Sequence, residues 1–152
     1  MFPASLAKVG YGAFANSSKL TSFTGSNATF YTEDGILFER VMNVVDGKLV
    51  DTGKITLVAF PSAKTVAKTD GEKVYTLPEN TVKVAGSAFL GLTGGIDKVV
   101  LPYGLKAVGA AAFYHSGITK YEFKGVTAPI LETDYSAAVD EIMSGATANK
   151  GY

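Results

Sequence analysis

Leu101-Pro102-Tyr103-Gly104-Leu105-Lys106-Ala107-Val108-Gly109-Ala110-Ala111-Ala112-Phe113 decides the architecture once it is laid over two other stretches of the chain. Leu77-Pro78 leads at the same offsets to Val84-Ala85-Gly86-Ser87-Ala88-Phe89, and Phe2-Pro3 leads to Val9-Gly10-Tyr11-Gly12-Ala13-Phe14. Each copy is apolar-Pro, a spacer, then Val-small-x-small-Ala-Phe, with no gap. The second and third copies stand 24 residues apart, the first and second 75. Three prolines in register with three Ala-Phe pairs mark an internal repeat. Such a unit is too small to bury its own apolar face and does so by stacking on its neighbours.

The residues after each phenylalanine repeat as well. Leu20-Thr21-Ser22-Phe23, Ile96-Asp97-Lys98-Val99-Val100-Leu101 and Ile118-Thr119-Lys120-Tyr121-Glu122-Phe123 share an apolar-x-x-apolar pattern, which the second and third extend to a further apolar residue two positions on. Alternation at the end of these runs is the period of a half-buried strand. Val74-Tyr75-Thr76-Leu77-Pro78 supplies another strand, and proline ends these strands where no further ladder donor is needed. The expected fold is mainly β with short helical turns: a solenoid of parallel strands carrying a β-hairpin insertion. Each unit is a strand, a turn and a return leg. Alanine lets the return leg approach the sheet, and Phe14, Phe89 and Phe113 are expected to form a core ladder.

Residues 25–75 do not follow the repeat. Asp34-Gly35 and Asp46-Gly47 each stand between apolar runs, Phe30-Tyr31-Thr32 and Ile36-Leu37-Phe38 in one case, Val44-Val45 and Leu49-Val50 in the other. Asp-Gly in that setting signals a hairpin, because both turn positions need positive φ. Ile55-Thr56-Leu57-Val58-Ala59-Phe60-Pro61 then looks like a buried strand ended by proline. The organisation expected is one domain over residues 1–152, with repeats at 2–24 and 74–123, a β insertion at 25–73 and a C-terminal capping segment at 126–152. Within the last, residues 135–143 could form a short amphipathic helix. The first copy opens at its Leu-Pro position, so the chain is expected to be a segment of a longer solenoid, with residues 2–23 its least protected part.

These residues resemble the BspA-type leucine-rich repeat family, whose units run Leu-Pro, spacer, Ile-Gly-x-x-Ala-Phe, loop, Leu-x-x-Val-x-Leu-Pro. The Asp-Gly strand and Leu57-Val58-Ala59-Phe60-Pro61 are similar to a unit that recurs in the same proteins, and residues 123–131 to a segment that often comes after the last repeat. The cysteine often found three residues after the phenylalanine is replaced here by Ser17, Leu92 and Ser116. The resemblance implies bacterial surface or secreted proteins, commonly of host-associated species, that act in adhesion and binding, hence an extracellular or cell-surface location. It implies no catalytic residues and no cofactor.

Composition narrows the function classes. Of 152 residues 47% are hydrophobic and 18% charged, which excludes intrinsic disorder. Fourteen basic residues balance fourteen acidic ones, so nucleic acid is not an expected partner. There is no cysteine, which removes disulfides and thiolate chemistry, and a single histidine, His115, reads as a solvated loop residue. No stretch is long and apolar enough to span a membrane, and no signal peptide is visible at the start. Gly91-Leu92-Thr93-Gly94-Gly95 lacks the lysine of a phosphate loop and reads as a tight turn. No Asp-x-Asp-x-Asp run suggests calcium.

The expected ligand surface is the exposed strand face: Ser22 and Thr24, Val74 and Thr76, Lys98 and Val100, Lys120 and Glu122. Of these Thr76, Lys98, Val100, Lys120 and Glu122 are the candidate binding residues, for a protein or host-surface ligand. No aromatic stripe there would stack sugars or bases. Three functions are compatible with the sequence: a non-catalytic binding or adhesion module, an architectural spacer displaying other domains, and a carbohydrate-active enzyme fragment using carboxylates on the insertion.

Overall fold

The computed structural model describes residues 1–132; the helix expected over 135–143 lies outside the described residues. Among the described residues ten strands form two sheets. A three-stranded meander opens the first, with β1 (Phe30–Glu33), β2 (Ile36–Val45) and β3 (Lys48–Ala59) joined by the Asp34-Gly35 and Asp46-Gly47 turns. All four turn residues have positive φ, as the tight hairpins require. A further Asp-Gly turn, Asp70-Gly71, joins β4 (Lys68–Thr69) to β5 (Glu72–Thr76).

From β5 onward each coil contributes one strand to each sheet. β5 turns at Pro78 into β6 (Thr81–Val84), β7 (Lys98–Leu101) turns at Pro102 into β8 (Ala107–Val108), and β9 (Lys120–Phe123) leads to β10 (Ile130–Leu131). The sheets run β1-β2-β3-β6-β8-β10 and β4-β5-β7-β9, parallel from β3 and from β5 onward. The return leg is thus a second sheet. β10 pairs in parallel with β8, so the solenoid continues beyond Phe123 into the segment expected to serve only as a cap.

No helix is present among the described residues, and the backbone gives the reason. The segment after each valine is a run of turns closed by bonds between residues three apart, as in Ala112 N–H to Gly109 O and Tyr114 N–H to Ala111 O. Gly12, Ser87 and Ala111, at one motif position, and Asn16, Gly91 and His115, four residues on, all have positive φ. A left-handed residue every fourth position stops a helix from propagating. It also accounts for Gly12, Gly91 and Asn16, residue types that take the left-handed region readily. Gly109 meets a stricter demand: a Cβ there would lie 2.3 Å from the Gly86 backbone nitrogen of the coil beneath.

Between the sheets runs a ladder of aliphatic residues, Leu57, Val84, Val108 and Leu131 in register, the first three essentially without solvent exposure. Beside it runs an aromatic stack of Phe60, Phe89 and Phe113, with centroids 5.2 and 5.0 Å apart and rings 21° and 23° from parallel. Tyr75 and Tyr121 meet Phe60 and Phe113 edge-on.

This corrects the expected ladder at one end: Phe60, not Phe14, precedes Phe89. Residues 55–62 of the insertion act as a coil in their own right. Leu57 takes the valine position and Phe60 the phenylalanine position, three residues apart where the repeats have five. Phe14 lies outside this coil, 37% exposed, edge-on to Phe23 at 4.8 Å.

The first repeat differs in a second way. Residues 20–23 form no strand. The Asp34-Gly35 hairpin tip packs against Ser22, Phe23 N–H donates to Gly35 O, and Leu20 O accepts from Ala63 N–H. The edge that a neighbouring coil would pair is thus met by a turn. Phe2, Leu6, Val9 and Phe23 pack on Phe30, Leu37 and Val58 in a second, smaller core on the far side of β2 and β3.

Candidate functional site

The outer face of β5-β7-β9 holds two cross-strand rows. Val74, Lys98 and Lys120 form the first; Thr76, Val100 and Glu122 the second. Thr76, Lys120 and Glu122 are exposed and Lys98 is half-buried. Val100 departs from expectation, being 7% exposed. It is a short side chain on the middle strand, screened by Thr76 on one side and Glu122 on the other. Ser22 and Thr24 are exposed but belong to no strand of this sheet.

The charges of the face are engaged with one another. Lys98 Nζ lies 2.6 Å from Glu122 Oε2 along a diagonal between neighbouring strands. Lys120 reaches across to Glu72 on β5, and Lys124 to Glu79 at 2.5 Å. The hydrogen bond with Lys98 holds the Glu122 carboxyl below the usual carboxylate range, and the same bond raises the Lys98 ammonium. Lys98 is half-buried and Glu122 exposed, and water still reaches both groups, so these pairs orient side chains more than they stabilise the fold.

Two hollows lie at the other end. One, of about 400 Å³, is lined by Phe2, Leu6, Phe14, Phe23 and Leu37. The other, of about 480 Å³, opens between the first repeat and the hairpin, beside Tyr11, Phe30 and Glu39. Burial raises the Glu39 carboxyl. Neither hollow is legible in the sequence, because each is formed where the first repeat meets the insertion. His115 is exposed on its turn, its ring 4.0 Å from that of Tyr114. Of the insertion's acids, Asp34 pairs with Lys64 at 3.2 Å and Asp51 with Arg40 at 3.7 Å. Among the described residues no three of His, Cys, Asp and Glu gather as a metal site would need, and no helix is long and apolar enough to cross a membrane.

A stack of parallel two-strand coils with an Ala-Phe ladder is the arrangement that a family comparison then matches. The model of the BspA type leucine rich repeat region fits residues 1–119 and 62–136, in six copies. The chain belongs to the BspA-type leucine-rich repeat family. The match runs through residues 25–73, in keeping with the coil that residues 55–62 supply. Leucine-rich repeats of this family are typical of bacterial surface proteins, are generally non-catalytic and typically mediate protein interactions. No match was found among curated proteins or among solved structures.

Proposed function

We propose that this chain is a non-catalytic binding or adhesion module of a bacterial surface or secreted protein, acting outside the cell on a protein or host-surface ligand. The observation that carries the proposal is the outer face of β5-β7-β9, where parallel coils in strict register present Thr76, Lys98, Lys120 and Glu122 around a buried Val100. Parallel register repeats each side chain at the strand spacing of about 4.8 Å, which suits an extended or flat protein surface better than a small molecule.

The test is a binding screen of the purified chain against host matrix proteins and glycans, repeated with Thr76→Arg and Lys120→Glu. Binding that weakens in both variants at an unchanged melting temperature supports this face. Binding that both variants leave intact overturns it. A second function, the architectural spacer, is favoured by the internal pairing of Lys98, Lys120 and Lys124, which leaves the face without unpaired lysines. A spacer would bind nothing in the screen.

A further inference from the structure

One stretch of the first repeat has no sheet partner. Aligned by motif, Ala7, Lys8, Val9 and Gly10 stand where Val82, Lys83, Val84 and Ala85 stand in the second copy and Lys106, Ala107, Val108 and Gly109 in the third. In those copies the stretch is bonded to the coil beneath it. Ala85 N–H donates to Leu57 O at 2.9 Å, Lys106 N–H to Val82 O at 2.8 Å and Gly109 N–H to Val84 O at 2.8 Å. In the first copy β3 of the insertion occupies the place beside β6, and residues 7–10 are held off the sheet. Among the described residues Ala7, Lys8 and Val9 make no backbone hydrogen bond, and Gly10 only the local one its carbonyl accepts from Ala13 N–H at 3.1 Å. None of the four has a positive φ, so a strand conformation is open to them as it is to their counterparts.

These residues, with Tyr11, line the hollow of about 480 Å³ together with Phe30 and Glu39. Glu39 belongs to a row across the first sheet, with Phe30, Glu39, Thr56 and Lys83 in register on β1, β2, β3 and β6. It is half-buried, and among the described residues no hydrogen bond or ion pair reaches its carboxylate. Lys83, the cation of that row, is engaged elsewhere. Its ammonium lies 2.5 Å from Glu132 Oε2 and 5.5 Å from the centre of the Tyr11 ring, and it donates to Tyr11 Oη at 3.3 Å. It attracts Glu39 only through space. A half-buried carboxylate without a donor is an acceptor left open. Lys8, the other charged residue of the lining, is exposed, so water screens it more than it screens Glu39.

We propose that this hollow takes an extended segment of a partner protein, which adds as a strand along residues 7–10 and seats a lysine or arginine against Glu39. The two parts of the site ask for the two parts of that ligand. A row of free N–H and C=O groups recognises another backbone in the β conformation, whatever its side chains. The open carboxylate selects among such segments, because a basic side chain brings both the opposite charge and the donors that an ionised acid lacks. A small cation would satisfy Glu39 and leave the backbone groups of residues 7–10 to water. The site stands apart from the β5-β7-β9 face and does not depend on that reading.

Three capped peptides test it on the full chain: Thr-Val-Thr-Lys-Thr-Val-Thr, and the same sequence with Gln or Glu at the centre. Alternation puts both valines on the face of the central residue, toward the apolar lining at Val9 and Phe30. Residue-resolved amide exchange and the shifts of the amide resonances are the measures. The Lys peptide should slow exchange at alternate positions, either Ala7 and Val9 or Lys8 and Gly10, because a strand turns successive amides to opposite sides. The Gln peptide should bind about fivefold more weakly, the worth of a screened ion pair, and the Glu peptide more weakly still. Glu39→Gln keeps the shape of the side chain and should make the Lys and Gln peptides bind alike. Lysine amide alone should protect none of the four amides. A Lys peptide that protects none of residues 7–10 overturns the proposal. So do equal binding of the three peptides and a preference for lysine that survives Glu39→Gln.

Discussion

Replacing Phe89 by alanine removes the middle ring of the stack. Phe89 is fully buried, with Phe60 at 5.2 Å on one side and Phe113 at 5.0 Å on the other. Returning a buried phenylalanine to water costs ~1.5–3 kcal/mol. A rigid cavity of roughly 100 Å³ at ~24 cal/mol per Å³ adds ~2.4 kcal/mol. Coils packed on both sides limit collapse, so the expected loss is about 4 kcal/mol, in the usual range for Phe→Ala. Phe14→Ala alters the same motif position in the first repeat. That ring is 37% exposed and has an edge-on contact to Phe23, so its loss should cost only about 1 kcal/mol. Urea titrations of both variants at unchanged m-value measure the two; Phe89→Leu gives a smaller step if Phe89→Ala does not fold. Equal losses at Phe14 and Phe89, or a loss below about 1 kcal/mol at Phe89, would refute the assignment of Phe60 as the ladder's first member.

Three more expectations rest on the coil geometry. Gly109→Ala drives a methyl into the Gly86 backbone and should cost ~2–3 kcal/mol, while Gly10→Ala, at the same motif position with open space around it, should change stability by less than about 0.5 kcal/mol in thermal melts. Burial raises the phenols of Tyr75 and Tyr121 well above their usual value. In an alkaline absorbance titration these two should ionise only on unfolding. The stability they hold is complete below the ordinary value near 10 and is lost as pH rises above it. In amide exchange of dilute monomer, residues 2–23 should exchange faster than residues 74–123, because the first repeat relies on bonds that close local turns, as from Ala15 to Gly12 and Ser17 to Phe14. Equal protection of the two stretches would contradict this.

The repeat and the strand period are legible in the sequence because both are local. Prolines, Ala-Phe pairs and apolar alternation recur at fixed offsets, and each reports on its own coil. Phe60 is illegible as a ladder member for a geometric reason. Its coil keeps the pair Ala59-Phe60 but runs from Leu57 to Phe60 in three residues, without the small-x-small spacing that sets the motif's offsets. The second sheet escapes a sequence reading because β8 and β10 are two residues long, too short to show any period. Clustered small residues suggest helical turns, but the cluster supplies left-handed positions at Ser87 and Ala111 instead.

Alternation identifies the exposed strand face but cannot tell which charges meet across it. Lys98 and Lys120 look like free cations in the sequence, and each is taken up by an acid, Lys98 by Glu122 in the next row of the neighbouring strand and Lys120 by Glu72 two strands away. That bears on any ligand. An exposed ion pair contributes at most about 1 kcal/mol, so an incoming carboxylate could displace Glu122 from Lys98 at little cost. The face is electrically quiet until something docks, and then it can answer an acidic partner with Lys98 or a basic one with Glu122. Lys98→Gln separates the two. It removes the cation, returns the Glu122 titration midpoint upward toward the ordinary carboxylate range, and should weaken an acidic partner while leaving a basic one bound. An unchanged Glu122 midpoint in that variant would mean that the diagonal pair does not hold the face in solution.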